Sequence, residues 1–425
     1  MGHRTGFVWG VLTLLAAAMP APAQTLSNQS LSGQYFFRHV SLGLDGSGNL
    51  TDPRSLLGTM TFDGKGGYTY IGQQVIGAAA ATSQTGSGTY AVDPAGFVSL
   101  ASPLRSGATV NARLGSSVVL GSTTESTDNT FDLFAAILAP TASVGSALAG
   151  PYWAVTLEFP GGSRTNVRDA FFGLSSTVAG QFATVSVNGH AANLASGIPT
   201  TQQVSNATYT MSTDGTGSAS FGAASNSQLL SGNRTLYLSS DGNMLLGGST
   251  APGSHDFFIA VKAAANATNT TWNGPPDHWG AGLRSDSSGA LGYAGAVSAR
   301  GLGFLTWTRR YKQLGAGAYD FTGVQTYSLN SDGSGTVLAA GAGLGPVALG
   351  AGGKTFIGAV VNSNDAGGYE IFFGAQMSAL SGTGVFLNPQ RVLNGASNAP
   401  AGNPIAPGEF IALFGTGMEI GRAHV

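Results

Sequence analysis

The most informative segment of the chain reads Thr208-Tyr209-Thr210-Met211-Ser212-Thr213-Asp214-Gly215. It predicts a β-strand that enters a hairpin turn, because Asp and Gly tolerate the positive φ that tight turns require. Two related segments read Thr89-Tyr90-Ala91-Val92-Asp93 and Thr326-Tyr327-Ser328-Leu329-Asn330-Ser331-Asp332-Gly333, and their tyrosines lie 119 residues before and 118 residues after Tyr209. A segment that recurs at nearly one period predicts a tandem repeat.

Two further landmarks recur in the same order around that segment. One is an opening Leu-x-Gly-x-Tyr pattern, with copies at Leu31–Tyr35 and Leu148–Tyr152 and a degraded copy at Trp272–Gly274. The other is a closing strand that carries one acid and follows an apolar strand; its copies are Phe131–Phe134 after Val118–Leu120, His255–Phe258 after Met244–Leu246, and Tyr369–Phe372 after Phe356–Ile357. Three tandem units are therefore predicted, at residues 31–142, 148–265 and 272–388.

The pattern inside each unit is that of an all-β fold. Short runs rich in Val, Thr, Tyr and Phe alternate with Gly, Asn, Asp and Ser, and Asp-Gly pairs start at Asp63, Asp214, Asp241 and Asp332. About eight antiparallel strands fit each unit, which suits a closed barrel or a two-sheet sandwich, and we favour the barrel.

The opening pattern and the Thr-Tyr-x-Val-x-Asp-x-x-Gly pattern resemble a β-rich repeat of uncharacterised function in secreted proteins of soil bacteria. The resemblance covers most of residues 31–388. It supports the β fold and implies no activity, because its motifs consist of turn residues.

The N-terminus predicts export. Arg4 precedes the apolar run Phe7–Met19, and Pro20–Ala23 supplies the small residues of a cleavage site. Residues 1–23 therefore read as a signal peptide, with a mature chain from Gln24. We find no later apolar segment of the length a membrane-spanning helix needs. With no cysteine, 9% charged residues and a net charge of −2, the chain is expected to fold by core burial and not to bind nucleic acid.

The pattern changes after Pro389. Residues 389–418, with Asn394–Ser397 followed by Ile405–Gly417, resemble the start of an uncharacterised immunoglobulin-like C-terminal module of similar secreted proteins. Only two of its strands would be present, so we expect a truncated module. Residues 419–425 resemble the translation of a sequencing adapter, and we expect them to be an artefact.

Several motifs admit a chemical or a structural interpretation. The segment Ala348–Thr355 fits a loose phosphate-binding loop, but it precedes a strand where such a loop needs a helix, and a hairpin turn is the better interpretation. The Asp-Gly turns lack the remaining ligands of a calcium loop, and no histidines have metal-ligand spacing. No metal or cofactor is predicted.

The acids Asp132, Asp256 and Glu370 occupy one column of the repeat. One identical acid per unit favours a structural role, for instance as the acceptor of a backbone amide. Glycosidase chemistry would need two carboxylates facing one cleft, and neither a Gly-x-Ser-x-Gly motif nor a cysteine nucleophile occurs. No catalytic residue is predicted.

The third unit departs from the other two. Residues 272–279 and 307–312 hold three of the four tryptophans of the mature chain beside basic residues. Aromatic and hydrogen-bonding groups together suit a glycan or peptide site, and Trp279, Trp307, Arg309 and Tyr311 are the candidate ligand-binding residues. The alternative is that these aromatics fill a barrel interior.

We therefore predict a non-catalytic structural or adhesive protein, secreted or at the cell surface. Its predicted partner is an extracellular glycan or protein, bound through the third unit. Two alternatives remain open: a secreted hydrolase with its site in a barrel mouth, and a carrier of a small apolar ligand. The oligomeric state does not follow from the sequence.

Overall fold

A computed structural model describes residues 26–145, 147–194, 198–274, 277–338, 345–361 and 367–378, and the backbone alone at 339, 342–344, 386–394 and 411–416. Throughout these ranges the chain forms strands joined by turns, with no α-helix. The predicted all-β class is confirmed. The first unit has eight strands: β1 (Ser32–Leu44), β2 (Leu50–Asp63), β3 (Gly67–Ile76), β4 (Thr82–Val92), β5 (Phe97–Ala101), β6 (Thr109–Leu114), β7 (Val118–Ser122) and β8 (Thr130–Leu138).

The second unit has eleven strands: β9 (Tyr152–Phe159), β10 (Arg168–Leu174), β11 (Ser176–Val178), β12 (Gln181–Phe182), β13 (Val185–Ala191), β14 (Thr200–Val204), β15 (Thr208–Met211), β16 (Thr216–Ser220), β17 (Asn233–Leu238), β18 (Met244–Gly248) and β19 (His255–Lys262). The third unit again has eight: β20 (His278–Asp286), β21 (Gly289–Ala299), β22 (Phe304–Gln313), β23 (Gly317–Leu329), β24 (Ser334–Ala339), β25 (Ala342–Leu349), β26 (Thr355–Ala359) and β27 (Tyr369–Gln376).

The first and third units are closed antiparallel barrels of eight strands in sequence order. The prediction of eight strands and a barrel is confirmed for both. The second unit is a curled sheet whose eleven strands run β11-β12-β15-β16-β17-β18-β19-β9-β10-β13-β14. It follows the same eight-strand path, but its second, third and fourth strands are each interrupted, between β10 and β11, β12 and β13, and β14 and β15. The last interruption contains Asn206, a non-glycine residue at positive φ.

The Thr-Tyr segment and the opening segment of each unit are hydrogen-bonded to each other. The Tyr90 hydroxyl donates to the Leu31 carbonyl at 2.6 Å, and the Tyr327 hydroxyl donates to that of Trp272 at 3.2 Å. In the second unit the same tyrosine, Tyr209, instead accepts from the amide of Leu148. The repeated tyrosine thus fixes the opening segment of each unit to its fourth strand, which explains why the two patterns recur together.

The Asp-Gly pairs form turns, as predicted. The pairs that start at Asp63, Asp214, Asp241 and Asp332 lie at or between the ends of consecutive strands, and the glycines after Asp63 and Asp332 have φ of 72° and 82°. The carboxylate of Asp63 accepts the three backbone amides of residues 65–67. The apparent phosphate-binding loop is also a turn, Ala351–Gly353, and it leads into β26.

Glycines make room for large side chains inside the barrels. In the third unit a Cβ atom at Gly282 would lie 2.3 Å from the Tyr293 ring, and one at Gly358 would lie 2.2 Å from Phe372. Each aromatic ring therefore lies over a glycine of the neighbouring strand, which explains why glycine occupies these two positions.

The three units pack in a closed ring. Strand β1 contacts β18 and β19 of the second unit, β9 contacts β26 of the third, and β20 contacts β7 of the first. The first strand of every unit thus docks on the seventh strand of the next, and we name the contacts the 1–2, 2–3 and 3–1 junctions. Outward side chains of these strands form one shared apolar core, which includes Val40, Leu157, Leu283, Phe257 and Phe373.

Buried polar contacts also join the units. Arg38 of the first unit donates to the Asp256 carboxylate and carbonyl of the second, at 2.9 and 2.8 Å, and all of its side chain is buried. His190 of the second unit bonds the Gly368 carbonyl of the third at 2.9 Å. Exposed ion pairs, such as Arg310 with Glu125 at 2.7 Å, add to the 3–1 junction.

At the C-terminal end, β28 (Phe386–Asn394) and β29 (Ile411–Thr416) form a separate antiparallel pair. Strand β28 begins before Pro389, the predicted start of the truncated module. The predicted signal peptide and residues 417–425 lie outside the described residues. In the part of the chain that the structure describes, no helix is long and apolar enough to cross a membrane.

Candidate functional site

The four residues predicted to bind a ligand lie on two faces of the third barrel. Trp307, Arg309 and Tyr311 alternate along β22 and point inward, whereas Trp279 on β20 belongs to the outer, shared core. The Arg309 guanidinium lies 3.7 Å from the centroid of Trp307, and its Nη1 donates to the Tyr311 hydroxyl at 2.8 Å. The structure therefore brings three of the four together and separates Trp279 from them.

The inward group is largely enclosed. Trp307 is 2% exposed and Arg309 8%. Burial lowers the pKa of Arg309, but the nearby Tyr293, Tyr311 and Glu370 outweigh it and leave that pKa above its ordinary value. Glu370 accepts from the Tyr293 hydroxyl at 2.5 Å. This arrangement is a packed polar network inside a barrel, and a ligand would have to displace it.

Trp279 occupies a column that is aromatic in every unit. By strand register its equivalents are Phe36 and Trp153, which pair with the same position of the closing strand. Phe36 stacks on Tyr237 of the second unit, with ring centroids 4.4 Å apart. Trp279 contacts Phe97 of the first unit edge-to-face at 5.5 Å. Both are therefore docking residues at a junction.

The 2–3 junction differs because its covering side chains are small. At the 3–1 junction Arg113 lies over Trp279, and at the 1–2 junction Tyr237 lies over Phe36. Strand register aligns both of these covering residues with Ala348 of the third unit. The same register aligns Phe97 with Ser334. The third unit thus has Ala348 where the other two units present Arg113 and Tyr237, and Ser334 where the first unit presents Phe97. The third unit contacts Trp153 through a hydrogen bond: the indole N–H of Trp153 donates to the Asp332 carbonyl at 2.9 Å.

A groove of about 800 Å³ opens at this junction, and we name it the junction groove. Its floor is the outer face of β9, β10 and β13, and its far wall is the segment 263–266 with the turn at 331–332. Trp153 and Phe171 stack on the floor with centroids 5.1 Å apart and planes within 19°. Polar side chains border this aromatic pair: Ser175, Thr184, Ser186, Asn188, Lys262 and Asn266.

The sequence analysis did not single out Trp153 or Phe171. Trp153 was detectable as the residue after the opening landmark in the second unit. Its neighbour Phe171 belongs to no landmark, and the small residues opposite lie about 180 residues further along the chain.

The repeated acids Asp132, Asp256 and Glu370 accept hydrogen bonds from neighbouring groups of the protein. Asp132 accepts from the Thr123 amide at 2.6 Å and from His39 at 2.7 Å, and Asp256 accepts from the Ser249 amide at 2.8 Å. Burial raises the pKa of Asp132, but the hydrogen bonds and charge of His39 outweigh it and hold that pKa below its usual range. The expected amide acceptor role is found in these two units, whereas Glu370 binds Tyr293. These contacts do not favour the hydrolase alternative.

The carrier alternative needs an empty barrel. The interiors hold their own buried side chains, such as Phe37 and Phe134 in the first unit, Phe172 and Phe258 in the second, and Trp307 and Phe356 in the third. The junction groove lies outside these interiors.

No family model and no curated protein matches the sequence. Among solved structures, the chain is similar to transferrin binding protein B of Haemophilus parasuis, with 10% identity and a TM-score of 0.26 over 84% of this chain and 77% of that one. It is also similar to the isotype 1 transferrin binding protein B of Neisseria meningitidis, with 10% identity and a TM-score of 0.25 over 82% of this chain and 77% of that one. A third similar structure is a protein of unknown function from Nostoc punctiforme, with 12% identity and a TM-score of 0.18 over 54% of this chain and 95% of that one. At TM-scores of this size, the similarity says nothing about function.

Proposed function

We propose that this protein is a non-catalytic protein of the cell exterior that binds a neutral saccharide in the junction groove. The observation that carries the proposal is Trp153, the member of the aromatic column that faces a groove at the 2–3 junction. Phe36 and Trp279 are covered by large side chains of the next unit, whereas Trp153 faces a groove of about 800 Å³. A feature that breaks the repeat is where a function specific to one unit is expected.

The composition of the groove supports a saccharide. Sugar rings present apolar C–H faces and polar edges, so a binding surface needs an aromatic platform bordered by hydrogen-bonding groups. Trp153 with Phe171 supplies the platform, and Ser186 and Asn188 lie beside it on the adjacent strand. The predicted signal peptide, residues 1–23, supports a location outside the cytoplasm, where such ligands occur.

The test is a calorimetric titration of the full chain with maltotriose, cellotriose and chitotriose. At least one trisaccharide should bind saturably. Trp153→Ala should weaken that binding by about 2 kcal/mol, or about 30-fold in Kd, as for a central aromatic contact. Trp279→Ala is the matched control, because it removes the equivalent aromatic at a covered junction, and it should leave the Kd unchanged.

Two outcomes contradict the proposal. The first is that none of the trisaccharides binds. The second is that Trp153→Ala, with an unfolding transition as cooperative as that of the unchanged chain, retains the original Kd. Binding lost in Trp307→Ala but kept in Trp153→Ala would move the site to the interior of the third barrel.

A further inference from the structure

A second cavity, of about 660 Å³, lies at one end of the second unit and is separate from the junction groove. Small residues form most of its wall, from the segments 222–226, 231–235 and 249–252. Three charged side chains also line it, namely Glu158, Arg168 and Arg234, and they are only 5%, 3% and 2% exposed. Charged groups this deeply buried are unusual unless they are paired or serve a ligand.

These side chains belong to a buried cluster of five charges. The Glu158 carboxylate accepts from Arg168 at 2.9 Å and from Arg234 at 3.1 Å. Arg234 also pairs with Asp256 at 2.6 Å, and the other oxygen of Asp256 pairs with Arg38 at 2.9 Å. The cluster therefore holds three guanidinium groups and two carboxylates, which leaves one positive charge in excess. An uncompensated buried charge is costly, so an anion that neutralises it would be stabilising.

The buried side-chain atoms of this region that have no hydrogen-bond partner among the described residues include the hydroxyl of Ser254, a residue that lines the cavity, and Nη1 of Arg38 in the charged cluster. The Ser254 side chain is 7% exposed. Buried polar groups are nearly always hydrogen-bonded, so the Ser254 hydroxyl is free to bond a water or a ligand group in the cavity.

The cluster is specific to the second unit. Strand register aligns Arg234 with Val110 and Gly345, and Glu158 with Ser41 and Arg284. The first and third units therefore have no arginine at the position of Arg234 and no acid at the position of Glu158. A purely structural role in the repeat would favour the same groups in all three units, as the repeated landmark tyrosines show.

We infer that this cavity binds a small polar monoanion whose charge is a carboxylate, such as a sugar acid or a hydroxy acid. A single negative charge neutralises the cluster, whereas a dianion would leave an excess of the opposite sign. Guanidinium groups match the geometry of a carboxylate. The Ser254 hydroxyl and the serine, threonine and asparagine side chains of the wall suit the hydroxyl groups of the same ligand. The inference is independent of the saccharide proposed for the junction groove.

The experiment titrates the full chain with sodium glucuronate and sodium lactate at constant ionic strength, with glucose and sodium sulfate as comparison ligands. At least one carboxylate should bind saturably and raise the unfolding temperature, at least ten times more tightly than sulfate, and glucose should not compete with it. Sulfate binding as tightly as the carboxylates, or no saturable binding by either carboxylate, would overturn the inference.

Two variants locate the site. Arg234→Met, similar in length and uncharged, should abolish carboxylate binding. Ser254→Ala keeps every charge and should weaken it several-fold, whereas Ser99→Ala, on the exposed face of β5 in the first unit, should change nothing. If Arg234→Met fails to fold, Ser254→Ala alone decides, and an unchanged Kd in that variant contradicts the assignment. Trp153→Ala should leave carboxylate binding intact, which separates this test from that of the junction groove.

Discussion

Replacing Arg38 with Met should destabilise the whole protein, because this side chain joins the first unit to the second. Arg38 makes two hydrogen bonds to Asp256 and passes over Gly248, where a Cβ atom would lie 2.6 Å from the guanidinium carbon. Asp256 would keep Arg234 and the Ser249 amide, so its charge is not stranded. The expected cost is that of two lost charge-assisted hydrogen bonds, about 3 kcal/mol.

The assay is urea unfolding followed by tryptophan fluorescence, with the free energy of unfolding extrapolated to water. The matched control is Arg310→Met at the 3–1 junction. Arg310 and Glu125 are 36% and 50% exposed, and such pairs contribute at most about 1 kcal/mol. Since the three units share one apolar core, both variants should unfold in a single transition. Equal losses in the two variants, or a loss under about 1 kcal/mol for Arg38→Met, would refute the reasoning.

Two further predictions concern the third barrel and the histidines. Gly282→Ala should cost at least about 2 kcal/mol in the same assay, because its Cβ atom would lie 2.3 Å from the Tyr293 ring; a neutral effect would contradict the aromatic-over-glycine packing. Burial lowers the pKa of His278, which bonds the Gly353 carbonyl, and that of His255, each to about 4. Between pH 6.5 and 4 the unfolded chain therefore takes up protons that the folded chain does not, and the free energy of unfolding should fall by up to about 3 kcal/mol per histidine. His278→Asn should remove about half of this pH dependence, and an unchanged pH profile would contradict it.

The repeat, the eight-strand path and the turns could be predicted because they depend on local patterns. A single unit already shows the tyrosine that joins its opening segment to its fourth strand, and it shows the Asp-Gly pairs that follow its strands. The interrupted strands of the second unit could not be predicted. Their breaks span one to three residues, and only Asn206 marks one of them by a positive φ.

The candidate site depends on contacts between units, which a single sequence does not display. Trp279 looked like a binding residue because it lies in an aromatic and basic segment. Only the ring of three units shows that Trp279, Phe36 and Trp153 are equivalent docking positions. Likewise, the small side chain of Ala348 acquires meaning only when strand register aligns it with Arg113 and Tyr237.

A crystal structure of the full chain with the tightest-binding trisaccharide tests the central claim most directly. We predict difference density for a sugar ring in the junction groove, in contact with Trp153 and within hydrogen-bond distance of Ser186 or Asn188. Density at the end of the third barrel near Trp307 and Tyr311, with the junction groove empty, would contradict the account.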